Sequence, residues 1–153
     1  MKYQRGFTIV ELVMTIVIMG ILAAVVGPRF FTKSNFDERF YFEEVLSTVR
    51  YAQKLAVASA CVVNVEVNNS GYALAYGAGA CSGVQIKDPS DKNYPIQPPA
   101  NVAVQDGMDI EFNSLGCITD NSSVDCSGGN NTVTVGSFSF RVHAATGFIE
   151  VMQ

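Results

Sequence analysis

Apolar residues run almost unbroken from Phe7 to Val26, and Glu11 is the one charge inside the run. As a helix, this stretch of 20 residues reaches about 30 Å, the thickness of a bilayer core. Lys2 and Arg5 precede it, and a basic flank stays cytoplasmic and sends the rest of the chain outward. Pro28 follows closely. It removes a helical donor and crowds the carbonyl of Ala24, which predicts a kink near Pro28. From about Asn35 to Ala60 the apolar period becomes helical, with a stripe of Phe36, Phe40, Val45, Val49, Ala52, Leu55, Ala56 and Ala60. Ser34 or Asn35 is the expected cap, with Asp37 and Glu38 in the first turn, where the helix dipole favours acids.

Beyond Cys61 the period shortens to two. Val62–Val67 and Tyr72–Tyr76 alternate around Asn68-Asn69-Ser70-Gly71, a hairpin signal. Residues 87–101 hold Pro89, Pro95, Pro98 and Pro99 and read as an irregular loop. Met108–Phe112, Thr132–Val135, Ser137–Val142 and Gly147–Val151 read as further strands, with 113–131 as an excursion between them. The expected fold class is α+β: a long N-terminal hydrophobic helix, kinked near Pro28, packed by its C-terminal half on an antiparallel β-sheet head.

Composition agrees with one anchor plus one small head. The chain of 153 residues is 48% hydrophobic and 16% charged, against roughly 25% charged in ordinary soluble domains. Net charge is −4, and loss of the first six residues with Lys2 and Arg5 takes it to −6. An acidic body without a basic run disfavours a general nucleic-acid surface, because phosphate binding needs clustered Lys and Arg. Cys61, Cys81, Cys117 and Cys126 form no CxxC, and His143 is the only histidine. Zinc is therefore not expected. Exported chains with even cysteine counts favour disulfides. Three connectivities are open, and Cys61–Cys81 with Cys117–Cys126 is favoured because each pair flanks a hairpin or loop.

Three readings compete for the N-terminus. A secretory signal peptide wants a shorter apolar core and a cleavage site after it. A plain anchor explains the length but not Glu11. A carboxylate costs about 2.5–3.5 kcal/mol near the centre of a membrane helix, and such residues are usually functional and partnered. A cut after Gly6 supplies a partner, because the new amine on Phe7 is cationic at neutral pH and lies four residues from Glu11. At ~4 Å and an effective dielectric near 20, such a pair attracts by roughly 4 kcal/mol.

The stretch Gly6-Phe7-Thr8-Ile9-Val10-Glu11-Leu12 resembles the processing motif of type IV pilins and pseudopilins. The resemblance implies that prepilin peptidase cuts after Gly6 and N-methylates Phe7. It implies that Glu11 serves assembly by meeting the N-terminal amine of an adjacent subunit. Gly20 fits as a small residue that lets membrane helices approach. Phe30-Phe31, Phe40-Tyr41-Phe42 and Val49–Ser59 are similar to GspH/FimT-like minor subunits, and most of all to those of mannose-sensitive haemagglutinin (MSHA) pili. The implied organisation is a leader at 1–6, a transmembrane and assembly helix at 7–27, an amphipathic helix at 28–60 and a disulfide-tied β head at 61–153.

The implied function is that of a minor type IV pilin of the MSHA kind, held in the inner membrane with its head in the periplasm and then built into an extracellular pilus. The implied partners are other pilin subunits, prepilin peptidase and the inner membrane. Neither cofactor nor nucleic acid is expected. The alternatives are a type II secretion pseudopilin and a FimT-like DNA-binding minor pilin. The second would need a basic stripe in the C-terminal strands, where only Arg141 and His143 stand.

An enzyme needs a nucleophile–base or acid–base constellation, and none is evident. His143 reads as a strand-end residue beside a turn. Asp109 and Glu111 share a strand face and read as surface charge. The oxygen-rich segments 88–93 and 120–125 are the candidates for calcium, although neither has EF-hand spacing, and solvated turns are the simpler reading.

Overall fold

The computed structural model describes residues 6–30, 33–120 and 125–152, with side chains described at 6–24, 36–120 and 125–152. The chain divides into two compact units, Met1–Lys33 and Ser34–Gln153. The first carries helix α1, Ile9–Phe30. Helix α2, Lys33–Ser59, runs into the second. The expected cap at Ser34 or Asn35 falls inside α2 instead of before it. Pro28 occupies the last turn of α1, and residues 31–32, next to the expected kink, lie outside the described residues.

Among the described residues the head contains eight strands: β1 Val63–Asn68, β2 Gly71–Tyr76, β3 Val104–Asp106, β4 Met108–Phe112, β5 Ile118–Thr119, β6 Asn131–Val135, β7 Phe138–Val142 and β8 Ile149–Met152. They form two antiparallel sheets, ordered β2-β1-β4-β5 and β3-β6-β7-β8. The β1–β2 hairpin closes with Asn68 opposite Gly71. The Asn68 carboxamide accepts the Ser70 N–H at 2.7 Å and holds the turn. Gly71 is required twice over: its φ is +134°, and any side chain there would collide with the Ile96 carbonyl. That close approach lets Tyr72 and Ile96 exchange backbone hydrogen bonds, so the proline-rich loop partly covers the β2 edge.

Helix α2 lays Tyr41, Phe42, Val45, Leu46, Val49, Ala52 and Ala56 into one core with Val63, Val65 and Val67 of β1, Phe112 of β4 and Phe140 of β7. Phe42 packs against Phe138 and Phe140, at ring separations of 5.5 and 5.8 Å. This corrects the helical stripe read from sequence. Phe36 and Phe40 are 64% and 67% exposed, and Ala60 is exposed beyond the helix end with φ +56°. The residues at 41, 42 and 46 take the core positions instead. Five residues separate Phe40 from Val45, which turns the ring about 140° away from the buried face.

Disulfides join Cys61 to Cys81 and Cys117 to Cys126, with 20 and 9 residues of separation. The first ties the open end of the β1–β2 hairpin to the following loop. The second closes the excursion after β4. In the chain-entropy picture the longer loop is worth about 3 kcal/mol and the shorter one slightly less. Replacing Cys61 and Cys81 together by serine is thus expected to lower head stability more than the same change at Cys117 and Cys126. Denaturant midpoints would rank the two, and the reverse order would refute the loop-length argument.

Between α2 and the proline-rich loop, Tyr41 meets Tyr72 at a tilt and Tyr72 meets Tyr94 edge to face, at ring separations of 5.7 and 6.1 Å. Burial is the main cause that raises all three phenols, and Tyr72 reaches about 12. A phenol raised above its unfolded value stabilises the fold fully below that unfolded value, near 10, and loses the contribution as pH climbs through its folded value. The head is expected to unfold cooperatively in alkali, between about pH 10 and 12, with tyrosinate absorbance rising in step with loss of circular dichroism. Early tyrosinate formation from all tyrosines in an intact head would contradict this packing.

Candidate functional site

The site is the first turn of α1. Thr8 sits just before the helix, and its hydroxyl oxygen accepts the Glu11 N–H at 3.3 Å. The Thr8 carbonyl accepts the Leu12 N–H at 3.2 Å. Thr8 is therefore the N-cap and Glu11 the third helical residue, the T-x-x-E spacing of a capping box. This T-x-x-E signal lies inside the Gly6–Leu12 stretch and is legible from residue spacing alone. Glu11 also occupies the first turn, where the helix dipole favours an anion. Its carboxylate thus has a local reason to be there, and that reason is compatible with a partner from outside.

Such a partner is not present within the described residues. The ion pairs there are Lys87–Asp91 and His143–Glu150, and Glu11 is in neither. Phe7 and Ile9 are 72% and 82% exposed, and every described side chain of α1 is exposed. Thr15 turns its hydroxyl back to the Leu12 carbonyl at 2.8 Å. That removes one polar group from the helix surface. Gly20 has nothing within 4 Å of where a Cβ would stand, so it leaves an open notch. Among the described residues no helix is long and apolar enough to cross a membrane, and the side chains described for α1 end at Ala24.

Among its described residues the head shows no comparable arrangement. His143 Nε2 lies 2.9 Å from a Glu150 carboxylate oxygen, and its ring tilts against Phe148. Arg141 stands opposite the same Glu150 across the β7–β8 pair. In the 88–93 loop, Asp88 accepts the Ser90 N–H and Asp91 pairs with Lys87. These contacts make the loop a self-satisfied turn. The 120–125 segment falls partly outside the described residues. Among the described residues no cluster of acidic, histidine or cysteine side chains could hold a metal ion. Asp109 is hydrogen-bonded by the Asn64 carboxamide at 2.7 Å.

Residues 1–27 match the family described as the prokaryotic N-terminal methylation motif. The match covers the candidate residues Gly6, Phe7 and Glu11 together with the capping threonine. No curated protein matches the sequence. Among solved structures the chain is similar to the type IV minor pilin FimU of Pseudomonas aeruginosa strain PAO1, in two crystal forms. One is 15% identical with a TM-score of 0.50, covering 78% of this chain and 90% of that one. The other is 13% identical with a TM-score of 0.49, covering 75% and 92%, and adds no weight. At this identity the likeness is one of fold. The head behind the methylation motif has the fold of a minor pilin.

Proposed function

We propose that this chain is a minor type IV pilin. It is cut after Gly6, N-methylated on Phe7, held in the inner membrane by its apolar helix and then taken into a filament, where Glu11 meets the N-terminal amine of a neighbour. The observation that carries the reading is the continuity of three parts in one chain: the methylation motif at 1–27, an exposed apolar helix and a pilin-like head. Its role is structural, not catalytic, and its partners are other subunits and the peptidase. The proposed membrane segment is the transmembrane and assembly helix at 7–27, whose helical backbone is described from Ile9 to Phe30 and whose side chains are described as far as Ala24.

The finer assignment, to an MSHA-type pilus and a subunit like the minor pilin MshC, rests on the sequence resemblance at 30–31, 40–42 and 49–59. A DNA-binding role finds little support. Glu150 stands opposite Arg141 and bonds His143, which counters the charge that phosphate contacts would need. The mature protein is expected to begin at Phe7 with a methylated amine, as read by N-terminal sequencing and mass spectrometry of the membrane form. A start beyond Pro28 would make the segment an ordinary signal peptide and overturn the proposal.

A further inference from the structure

Among the described residues the two sheets end in four outer strands, β2, β5, β3 and β8. Three of them are blunted. β5 has 2 residues. β3 has 3 and a register shift against β6. β2 exchanges backbone hydrogen bonds with Ile96 of the proline-rich loop. Short strands, bulges and covering loops all keep a sheet edge from pairing with other chains. β8 uses none of them. Its 4 residues run in unbroken register beside β7, without proline or lysine.

The His143 N–H donates to the Phe148 carbonyl at 2.9 Å. Bonded and non-bonded pairs alternate along an antiparallel ladder. Phe148, Glu150 and Met152 therefore turn their backbone groups to β7, and Ile149 and Val151 turn theirs outward. The outward groups meet no partner among the described residues. The side chains of Ile149 and Val151 stand opposite Val142 and Phe140 and share their core-facing side. Phe140 and Val142 are fully buried, yet Val151 is 45% exposed. The core thus ends uncovered at β8.

The other face of the strand selects the occupant. Glu150 and the exposed Phe148 line one shallow pocket with His143. Arg141 stands opposite Glu150 but directs its guanidinium to the Thr132 hydroxyl, at 3.5 Å. A carboxylate beside an open aromatic ring suits a basic side chain. The charge of the unit agrees. Of the chain's 10 basic and 14 acidic residues, Lys2, Arg5, Arg29, Lys33 and Glu11 lie outside Ser34–Gln153, which leaves it 6 basic and 13 acidic. A second copy fits poorly, since antiparallel β8 strands in full register set Glu150 against Glu150.

We infer that β8 docks an extended strand of another protein, antiparallel to it, with apolar residues over Val151 and one basic side chain in the Phe148–Glu150 pocket. Backbone bonds supply the hold in such strand addition, and alternate side chains supply the selectivity. The inference goes beyond the pilin reading and does not depend on it.

The probe is a capped synthetic peptide, Thr-Val-Lys-Val-Thr, added in millimolar excess to the full-length protein in detergent, with Thr-Val-Glu-Val-Thr as its control. Residue-resolved amide exchange should show Ile149 and Val151 slowed about threefold by the lysine peptide and hardly by the glutamate peptide, with Phe140 unchanged. Val151→Pro should abolish the slowing at Ile149, because its nitrogen faces outward and proline is tolerated at such an edge position. Glu150→Lys leaves the backbone as it is and should reverse the order of the two peptides. Equal effects of both peptides, no effect of either, or slowing that survives Val151→Pro would overturn the inference. So would Ile149 and Val151 amides already as slow as Phe140 without peptide, or slowed by protein concentration alone, since the edge would then be covered by the chain itself or by a second copy.

Discussion

Glu11→Gln is expected to leave membrane insertion and helix α1 intact while removing most of the protein from filaments. Glutamine at the third helical position still serves a capping box, so the local role of residue 11 survives. A neutral side chain is also cheaper to insert than a carboxylate. What disappears is the charge. An amine–carboxylate pair at ~4 Å and an effective dielectric near 20 is worth roughly 4 kcal/mol, a factor of about a thousand. Immunoblots of sheared filaments against membrane fractions would read it. Thr8→Ala is the companion variant, because it removes the hydroxyl that accepts the Glu11 N–H but keeps the carboxylate. It should cost the helix about 1 kcal/mol and leave incorporation nearly normal. If Thr8→Ala were as damaging as Glu11→Gln, or Glu11→Gln harmless, the carboxylate would be a cap and not an assembly group.

Phe140→Ala is expected to be the most damaging single truncation in the head, lowering stability by about 3–5 kcal/mol. Phe140 is fully buried in β7 and packs edge-on against Phe42 of α2. It therefore couples the second sheet to the helix. Small domains have only about 5–15 kcal/mol in total, so the variant should sit near the edge of folding at physiological temperature. Phe36→Ala is the contrast. Its ring is mostly in water, and an exposed change of this kind stays within about 0.5 kcal/mol in the separated subunit. Denaturant unfolding in detergent would compare the two. Equal losses would mean that Phe36 belongs to the core and would contradict its exposure.

These two variants also show where the sequence was legible. At the N-terminus the decisive relations are local. Gly6, Phe7, Thr8 and Glu11 lie within two turns, and a 20-residue apolar run dictates a helix whatever surrounds it. Even there the reading was incomplete, since the T-x-x-E cap was present and passed over. In the head, strand identity was readable from alternation. β4 was placed at Met108–Phe112 and the β1–β2 hairpin within a residue. The short strands are not legible, because so few positions cannot establish a period of two: β5, of 2 residues, lies inside the 113–131 excursion, and β3, of 3, lies where the sequence predicts no element.

The sequence by itself determined an apolar, singly charged helix that begins in a stretch resembling a processing motif, followed by an amphipathic helix and alternating strands. Each of those properties depends on neighbours within a few residues. Only the tertiary structure decided which side of α2 is core. The sequence shows two partly apolar faces, and only contact with Phe138 and Phe140, nearly a hundred residues further along the chain, selects Phe42 over Phe40. The same holds for the division into two sheets, because strand order is set by which side chains can fill one shared interior and not by any single strand's pattern. The turn at the start of α1 lies between these cases. Its cap is local and legible, whereas the proposed partner for its charge, the N-terminal amine of a neighbour, lies outside a single chain.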